Sequence, residues 1–309
     1  MKTHTGKQGR LSDAKKASRL QTKAQDCEVI NVAEKGVQVE EKASSAAMHV
    51  PHLPTPIPHR NFVLSSTMFA RRDLIKGIEH LLPSPNYIER DFNSARNFGG
   101  ISSQTSEADE ADIILAPGHG LMLTSLQKLV QKSLPGQVTR NGVRERIVQL
   151  GRRYERLIIM VQHDWGGNQQ RPLDGRSSGE LVSLINFCAA QSHGIQVLYI
   201  PGSESALVTW IVASMVRFGL DDPTIQLLQE ETTWELFLRK AGMDAFAAQV
   251  VLIKLRMPDV VPPCSDERSY GLPGFVMMGK TERLKRFGAL FGGDKILKKV
   301  SMAIDGSWT

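Results

Sequence analysis

Few residues of this chain have the types and spacing that catalysis needs, and they lie in two places. The first is the stretch from Ala111 to Leu129, whose one carboxylate is Asp112. Mg²⁺ and Mn²⁺ prefer carboxylate oxygens, and one carboxylate rarely holds a working metal ion. The second is the pair His163-Asp164 at the predicted end of a buried strand, where α/β enzymes place catalytic groups. No serine or cysteine nucleophile motif accompanies this pair, so a hydrolase of unrecognised type is an alternative only.

The first stretch also resembles a known family. It contains Ala111-Asp112-Ile-Ile-Leu, a Pro-Gly-His-Gly turn, and then Leu121 before a run of apolar residues. This order resembles the core of the XPF-type structure-specific nuclease domain, in which Gly-Asp-x-Ile-Leu precedes an apolar residue and then Glu-Arg-Lys-x-x-x-Asp-Leu. In an ungapped alignment, Asp112 is kept. The family's other metal-holding or assisting positions carry apolar, hydroxyl or basic residues: Ser65, Met122, Leu123, Thr124 and Lys128.

The resemblance therefore implies a nuclease-like domain that has lost its chemistry. Met122 and Leu123 offer no oxygen to a metal, and Lys128 would repel a divalent cation. We expect no bound metal, no cofactor and no enzymatic activity. A protein of this kind would bind branched DNA rather than cut it.

Length and charge set wider limits. The chain has 309 residues, 41% of them hydrophobic, which is enough for about two domains with packed cores. No apolar run approaches the roughly 18 residues that a membrane span requires, so we expect no membrane partner. The net charge of +6 suits a polyanionic partner such as DNA. Residues 1–60 predict a disordered tail, basic and Pro-rich, which holds DNA weakly or is merely solvated.

Strand and helix patterns alternate over residues 61–219. This alternation predicts an α/β domain with a mainly parallel sheet and helices on both faces, which is also the XPF nuclease architecture. The predicted strands are Phe62–Ser66, Tyr87–Phe92, Ile113–Leu115, Leu157–Val161 and Ile195–Ile200, and the predicted helices are Arg71–Leu82, Ser125–Lys132, Val143–Tyr154, Gly179–Gln191 and Glu204–Phe218.

Residues 221–309 predict an all-helical domain. Its helices are predicted at Thr224–Glu230, Thr233–Lys240, Ala245–Arg256, Thr281–Phe291 and Asp294–Ile304. Two joints resemble the tandem helix-hairpin-helix module that follows the nuclease domain in XPF-type proteins. One joint is at Gly242, and a less regular one is at Leu272–Phe275 around Gly274. Glycine lets the backbone turn tightly there and bring N–H groups against a phosphate.

This helical domain supplies two sets of candidate site residues. DNA contacts are expected from the hairpin glycines and from nearby basic residues: Lys240, Gly242, Gly274, Lys280, Arg283, Lys285 and Arg286. Contacts with a partner protein are expected from apolar residues that are numerous for so small a unit: Phe237, Phe246, Val250, Phe275, Phe287 and Phe291. The alternatives are a solvated helix face for the basic set and the domain's own core for the apolar set.

Two segments favour one branch of the inactive XPF-type proteins. Ser125–Gln137 and Tyr154–Val161 look most like the meiotic XPF-like proteins of the ZMM group, the Zip- and SHOC-named proteins. That resemblance implies a nuclear, chromosomal protein that pairs with a smaller ERCC-like subunit and promotes crossover formation. The alternative is a non-catalytic regulatory subunit of an active flap or junction endonuclease in DNA repair.

Overall fold

The computed structural model describes residues 51–55, 60–82, 85–92, 110–131, 142–164, 172–191, 194–256 and 270–306. The predicted tail lies outside these residues except for 51–55 and 60. The strands are β1 (Asn61–Ser65), β2 (Asn86–Arg90), β3 (Ile113–Ala116), β4 (His119–Ser125), β5 (Arg156–His163) and β6 (Ile195–Pro201). The helices are α1 (Ser66–Phe69), α2 (Arg72–Leu81), α3 (Leu126–Val130), α4 (Gly142–Gly151), α5 (Gly175–Ala189), α6 (Glu204–Phe218), α7 (Thr233–Ala241), α8 (Ala245–Lys254), α9 (Gly271–Met277), α10 (Lys280–Phe291) and α11 (Lys295–Asp305).

The six strands form one mostly parallel sheet, which confirms the predicted fold class. Their order is β2-β1-β3-β4-β5-β6. β1 with β2, β4 with β5, and β5 with β6 are parallel, whereas β3 runs antiparallel to both of its neighbours. Strand β4 was not predicted as a separate strand. Gly118, in the left-handed region at φ +73°, turns the chain back between β3 and β4.

Helices cover both faces of the sheet, as predicted. On one face, α2 and α6 bury a cluster that includes Leu64 and Ile158. On the other face, α4 and α5 cover a second cluster that includes Val63 and Ile159. None of the described helices is long and apolar enough to cross a membrane.

Helix α8 belongs to the core of the sheet as well as to the helical part of the chain. Every residue from Ala245 to Val251 is buried, as expected of a helix that is apolar on all sides. Phe246 and Val250 pack in the same cluster as Val63 of β1. The α/β part and the helical part therefore share one hydrophobic core, within a single compact unit from Met48 to Thr309.

Two hairpins of the same local design join α7 to α8 and α10 to α11. Gly242 ends α7 at φ +119°, and Gly292 ends α10 at φ +67°. Asp244 and Asp294 stand two residues later, each immediately before the next helix. The second hairpin is thus at Gly292, and the prediction of a hairpin at Leu272–Phe275 was wrong because those residues lie inside α9.

The prediction of a helix at Thr224–Glu230 was also wrong. Side chains, rather than helical hydrogen bonds, bind the backbone of this segment. The carbonyl of Leu228 accepts hydrogen bonds from Arg90 and Gln249, and the N–H of Leu228 donates to Gln249. These partners lie on β2 and α8, far away in the sequence, so local sequence patterns give no sign of them.

Candidate nucleic-acid interface

Asp112, the carboxylate kept from the nuclease-like motif, forms an ion pair with Arg146. Strand pairing brings Ser65, Asp112 and Leu123 together, and the N–H of Ser65 donates to the Asp112 carbonyl at 3.0 Å. One Asp112 carboxylate oxygen accepts the N–H of Leu123 at 2.6 Å. The other accepts from Arg146 of α4 at 2.9 Å. Both oxygens are engaged, and the guanidinium supplies the positive charge that a metal ion would otherwise bring.

The remaining positions of the motif do not lie together: they are found in the core on one face of the sheet, on its other face, and on the surface of α3. Met122 is buried in the core beneath α4 and α5, and Thr124 is buried further along the same strand. Leu123 faces the opposite cluster, and Lys128 is exposed on α3. Among the described residues, no three His, Cys, Asp or Glu side chains lie close enough together to hold a metal ion.

The pair His163-Asp164 lies in a cleft of about 610 Å³ at the carboxyl ends of β4 and β5. The ring of His163 hydrogen-bonds to the Tyr199 hydroxyl at 2.7 Å, and burial raises the pKa of that phenol. Ser125 lines the same cleft, where its hydroxyl accepts the N–H of Lys128 and so caps α3. The cleft has the position of an α/β ligand site, but His163 and Ser125 both make hydrogen bonds within the protein.

A buried polar network joins β3 to the helical part. The Tyr154 hydroxyl donates to Glu110 at 2.8 Å, and Arg153 pairs with the same carboxylate at 3.0 Å. Arg153 also donates to the carbonyls of Arg239 and Met243, at the end of α7 and in the first hairpin. The first hairpin is therefore fixed to the sheet by one arginine and one buried carboxylate.

Asp244 makes the most direct link between the turn of β3–β4 and α8. One of its oxygens accepts the N–H of Gly118, and the other accepts the N–H of Ala247, both at 2.8 Å. Burial raises the pKa of Asp244 from its usual 3.8 to about 7, and the negative charge of Glu110 raises it further, while the two N–H donors oppose the rise. A carboxyl with a raised folded-state pKa stabilises the fold most when it is protonated.

We expect the pH dependence of stability to carry the signature of Asp244. Its stabilising contribution is fully present below its unfolded pKa and is lost as the pH rises through about 7. The free energy of unfolding should therefore fall with rising pH across this window, and Asp244→Asn should remove that part of the slope. Denaturant unfolding at a series of pH values measures it, with Asp294→Asn, the exposed counterpart in the second hairpin, as control. An unchanged slope in Asp244→Asn contradicts the expectation.

The predicted DNA contacts separate into accessible and inaccessible groups. Lys240, Lys280, Lys285 and Arg286 are exposed and remain candidates. The predictions for three others need correction, as the local hydrogen bonds and burial show: Gly242, Gly274 and Arg283.

Arg283 is wholly buried and serves the fold. It donates to the carbonyls of Phe275 and Val276 at the end of α9 and pairs with both oxygens of Asp305 at 2.9 Å. Gly274 is buried inside α9. The N–H of Gly242 donates to the Arg239 carbonyl, so it is not available to a phosphate.

Most of the predicted partner-interface residues are core residues. Phe275, Phe287 and Phe291 form the centre of the helical part. Phe246 and Val250 lie in the core shared with the sheet. These predictions were wrong, and the alternative of an internal core holds for them. Phe237, at 42% exposure, remains available to a partner.

Sequence reasoning missed one cation that the structure places beside Gly242. It is Lys299 on α11, which is exposed and whose Nζ lies 3.7 Å from the position of a Cβ on Gly242. The repeat of Gly-x-Asp at Gly242 and Gly292 was the available signal, because it marks α11 as the second helix of a hairpin.

Comparisons with known proteins match this chain over two stretches of its sequence. Residues 52–226 match a family described as a domain of unknown function, DUF7102, and residues 228–304 match the SAM-like domain. Among solved structures, the chain is similar to XPF from Aeropyrum pernix, with 12% identity, 81% of this chain and 100% of that chain covered, and a TM-score of 0.35. Comparison with curated proteins gives no match. Because the first match spans more than half of its residues, the chain belongs to the DUF7102 family.

Proposed function

We propose that this protein is a non-catalytic scaffold that binds nucleic acid, with branched DNA as its ligand. The observation that carries the proposal is the concentration of positive charge on α10 and α11. Residues 280–305 contain seven Lys or Arg against three Asp or Glu, a net charge of +4 out of the chain's +6. Cations gathered on one surface bind phosphate backbones and release counterions.

The acids of this segment leave most of that charge uncompensated. Asp305 pairs with the buried Arg283, and Asp294 pairs with Lys298. Lys280, Lys285 and Arg286 are exposed on α10 and form no ion pair within the part of the chain that the structure describes. Such a surface suits the regularly spaced phosphates of DNA.

The absence of catalysis is the second part of the proposal. The Asp112 carboxylate, which would be the remaining metal ligand, is occupied by Arg146 and the N–H of Leu123. Restoring a carboxylate at Met122 would bury an unpaired charge in the core, which costs several kcal/mol.

The finer proposal rests on the sequence resemblance to the XPF-type meiotic proteins. It is a heterodimer with an ERCC-like subunit, located on chromosomes in the nucleus, that promotes crossover formation. The exposed apolar side chains of Phe237 and Met277 support a protein partner. A regulatory subunit of an active nuclease fits the same surfaces, and identification of the protein that co-purifies with this chain separates the two.

Incubation of the full chain with labelled four-way-junction and flap DNA, in Mg²⁺ or Mn²⁺, tests the proposal. We expect retarded complexes on a native gel and intact strands on a denaturing gel. A fully active XPF-type nuclease under the same conditions shows that cleavage is detectable. Metal-dependent cleavage that co-purifies with the chain, and that Arg146→Gln or Asp112→Asn alters, would overturn the non-catalytic assignment.

A further inference from the structure

A groove lies between α6 and β6, the strand at one edge of the sheet. Trp210, Ala213 and Arg217 line it from α6, where their spacing places them on one face of the helix. Gln196 and Leu198 line it from β6, where alternate residues share one face of the strand. The groove encloses about 600 Å³, which is a volume typical of ligand sites.

A proline segment of the chain itself, Pro51–Thr55, lies against this groove. Pro51, His52 and Pro54 contribute to its lining. Leu53 between them packs against the hydrophobic cluster that α2 and α6 bury. The segment forms neither helix nor strand. Because proline has a carbonyl but no N–H, such a segment offers more hydrogen-bond acceptors than donors.

Two donors of residues that line the groove have no acceptor among the described residues. They are the indole N–H of Trp210 and the Nε of Arg60, and both atoms are shielded from water. The rest of the Arg60 guanidinium is fixed, since its Nη1 donates to the carbonyls of Val216 and Gly219 at 2.6 Å. Of the described residues that line the groove, none is Asp or Glu. The groove therefore complements a ligand that is rich in acceptors.

We propose that the groove between α6 and β6 is a binding site for a proline-rich peptide segment, and that Pro51–Thr55 is its occupant within the same chain. Aromatic grooves recognise such segments by ring contacts and by polar donors placed beside the rings. Trp210 supplies both a ring and a donor, and the half-buried Phe218 adds a second ring. The inference goes beyond the proposed function and holds whether or not the chain binds DNA.

Exchange of this occupant for the same sequence, added as a free peptide, tests the site. A fluorescent peptide of residues 48–59 is titrated with the full chain, and its anisotropy is measured. The native chain should bind it weakly, because the chain's own segment competes at the high local concentration of an intramolecular ligand. The segment variant, which combines Pro51→Ser, Leu53→Ser and Pro54→Ser, should bind the peptide at least about tenfold more tightly.

Trp210→Phe, added to the segment variant, should lower its affinity for the peptide about tenfold, because a ring remains and the N–H donor is lost. The matched control is Trp234→Phe, exposed on α7 outside this groove, which should change affinity by less than about twofold. Gln196→Glu alters an exposed position of β6 and leaves the core untouched. It should also lower affinity, because a carboxylate repels carbonyl oxygens. Circular dichroism of each variant checks that the fold is retained.

The inference falls if the segment variant binds the peptide no better than the native chain does. It falls equally if Trp210→Phe and Trp234→Phe have the same effect, or if a peptide with alanine at its four proline positions binds the segment variant as tightly. Tighter binding of an acidic peptide without proline would also refute it, because Arg60 and Arg217 would then hold a carboxylate instead.

Discussion

Replacing Phe246 by Ala should lower the free energy of unfolding of the whole chain by about 3–5 kcal/mol. Phe246 is fully buried in the cluster that joins α8 to β1 and to the helices on the same face of the sheet. Removing the ring leaves a cavity where the α/β and helical parts share a core. Phe246→Asp should unfold both parts, because it would bury a carboxylate in this shared core.

Denaturant unfolding followed by tryptophan fluorescence and circular dichroism measures this effect. Trp210 lies on α6 of the α/β part and Trp234 on α7 of the helical part. Replacing each in turn assigns the fluorescence change to one part. Phe237→Ala is the matched control, because that ring is 42% exposed on the neighbouring helix and should cost less than about 1 kcal/mol. Two separate transitions, with the α/β signal unaffected by Phe246→Ala, would contradict a shared core.

Glu235→Ala should lower the free energy of unfolding by a similar amount, about 3–5 kcal/mol, for an electrostatic reason. Arg90 and Glu235 are both buried and are joined by two hydrogen bonds of 3.1 and 3.2 Å. Gln249 donates to the same carboxylate at 2.9 Å. Removing Glu235 leaves the Arg90 guanidinium buried without an opposite charge.

Thermal and denaturant unfolding of Glu235→Ala beside Glu204→Ala tests this expectation. Glu204 forms an exposed ion pair with Arg71, which should contribute less than about 1 kcal/mol. Arg90→Met with Glu235→Leu should recover part of the stability, because no isolated charge is buried. Recovery should be incomplete, since Arg90 also binds the carbonyls of Leu228 and Gln229. Equal, small costs for both glutamates would show that the pair is solvated.

The α/β part was largely predictable because its periodicity and capping residues are local. Helix α6 has the predicted bounds, Glu204–Phe218. Helix α5 begins four residues before its predicted start because the Asp174 side chain accepts the N–H of Ser177 and caps it there. Strand β4 was missed because its glycine and its run of apolar residues give no alternation that separates it from β3.

The candidate site was harder to predict, because burial depends on residues distant in the sequence. Arg283 lies in a run of basic residues, a pattern that predicts a surface residue. In the fold it is buried against Asp305 and the end of α9. Phe246 fits an interface pattern, and the sheet supplies its partner within the same chain. Lys299 lies beside Gly242, 57 positions earlier in the sequence, because the fold packs α11 against the first hairpin.

The central claim is that the exposed cations of α10 and α11 hold DNA by its phosphates. The most direct test is the affinity of the full chain for labelled junction DNA, by fluorescence anisotropy, as salt is raised, compared with Lys280→Gln, Lys285→Gln and Arg286→Gln combined. We predict that log K falls linearly with log salt, and that the triple variant lowers the affinity and reduces the slope by about 0.9 per phosphate released. Affinity independent of salt, or a triple variant that matches the native chain in both quantities, would contradict the account.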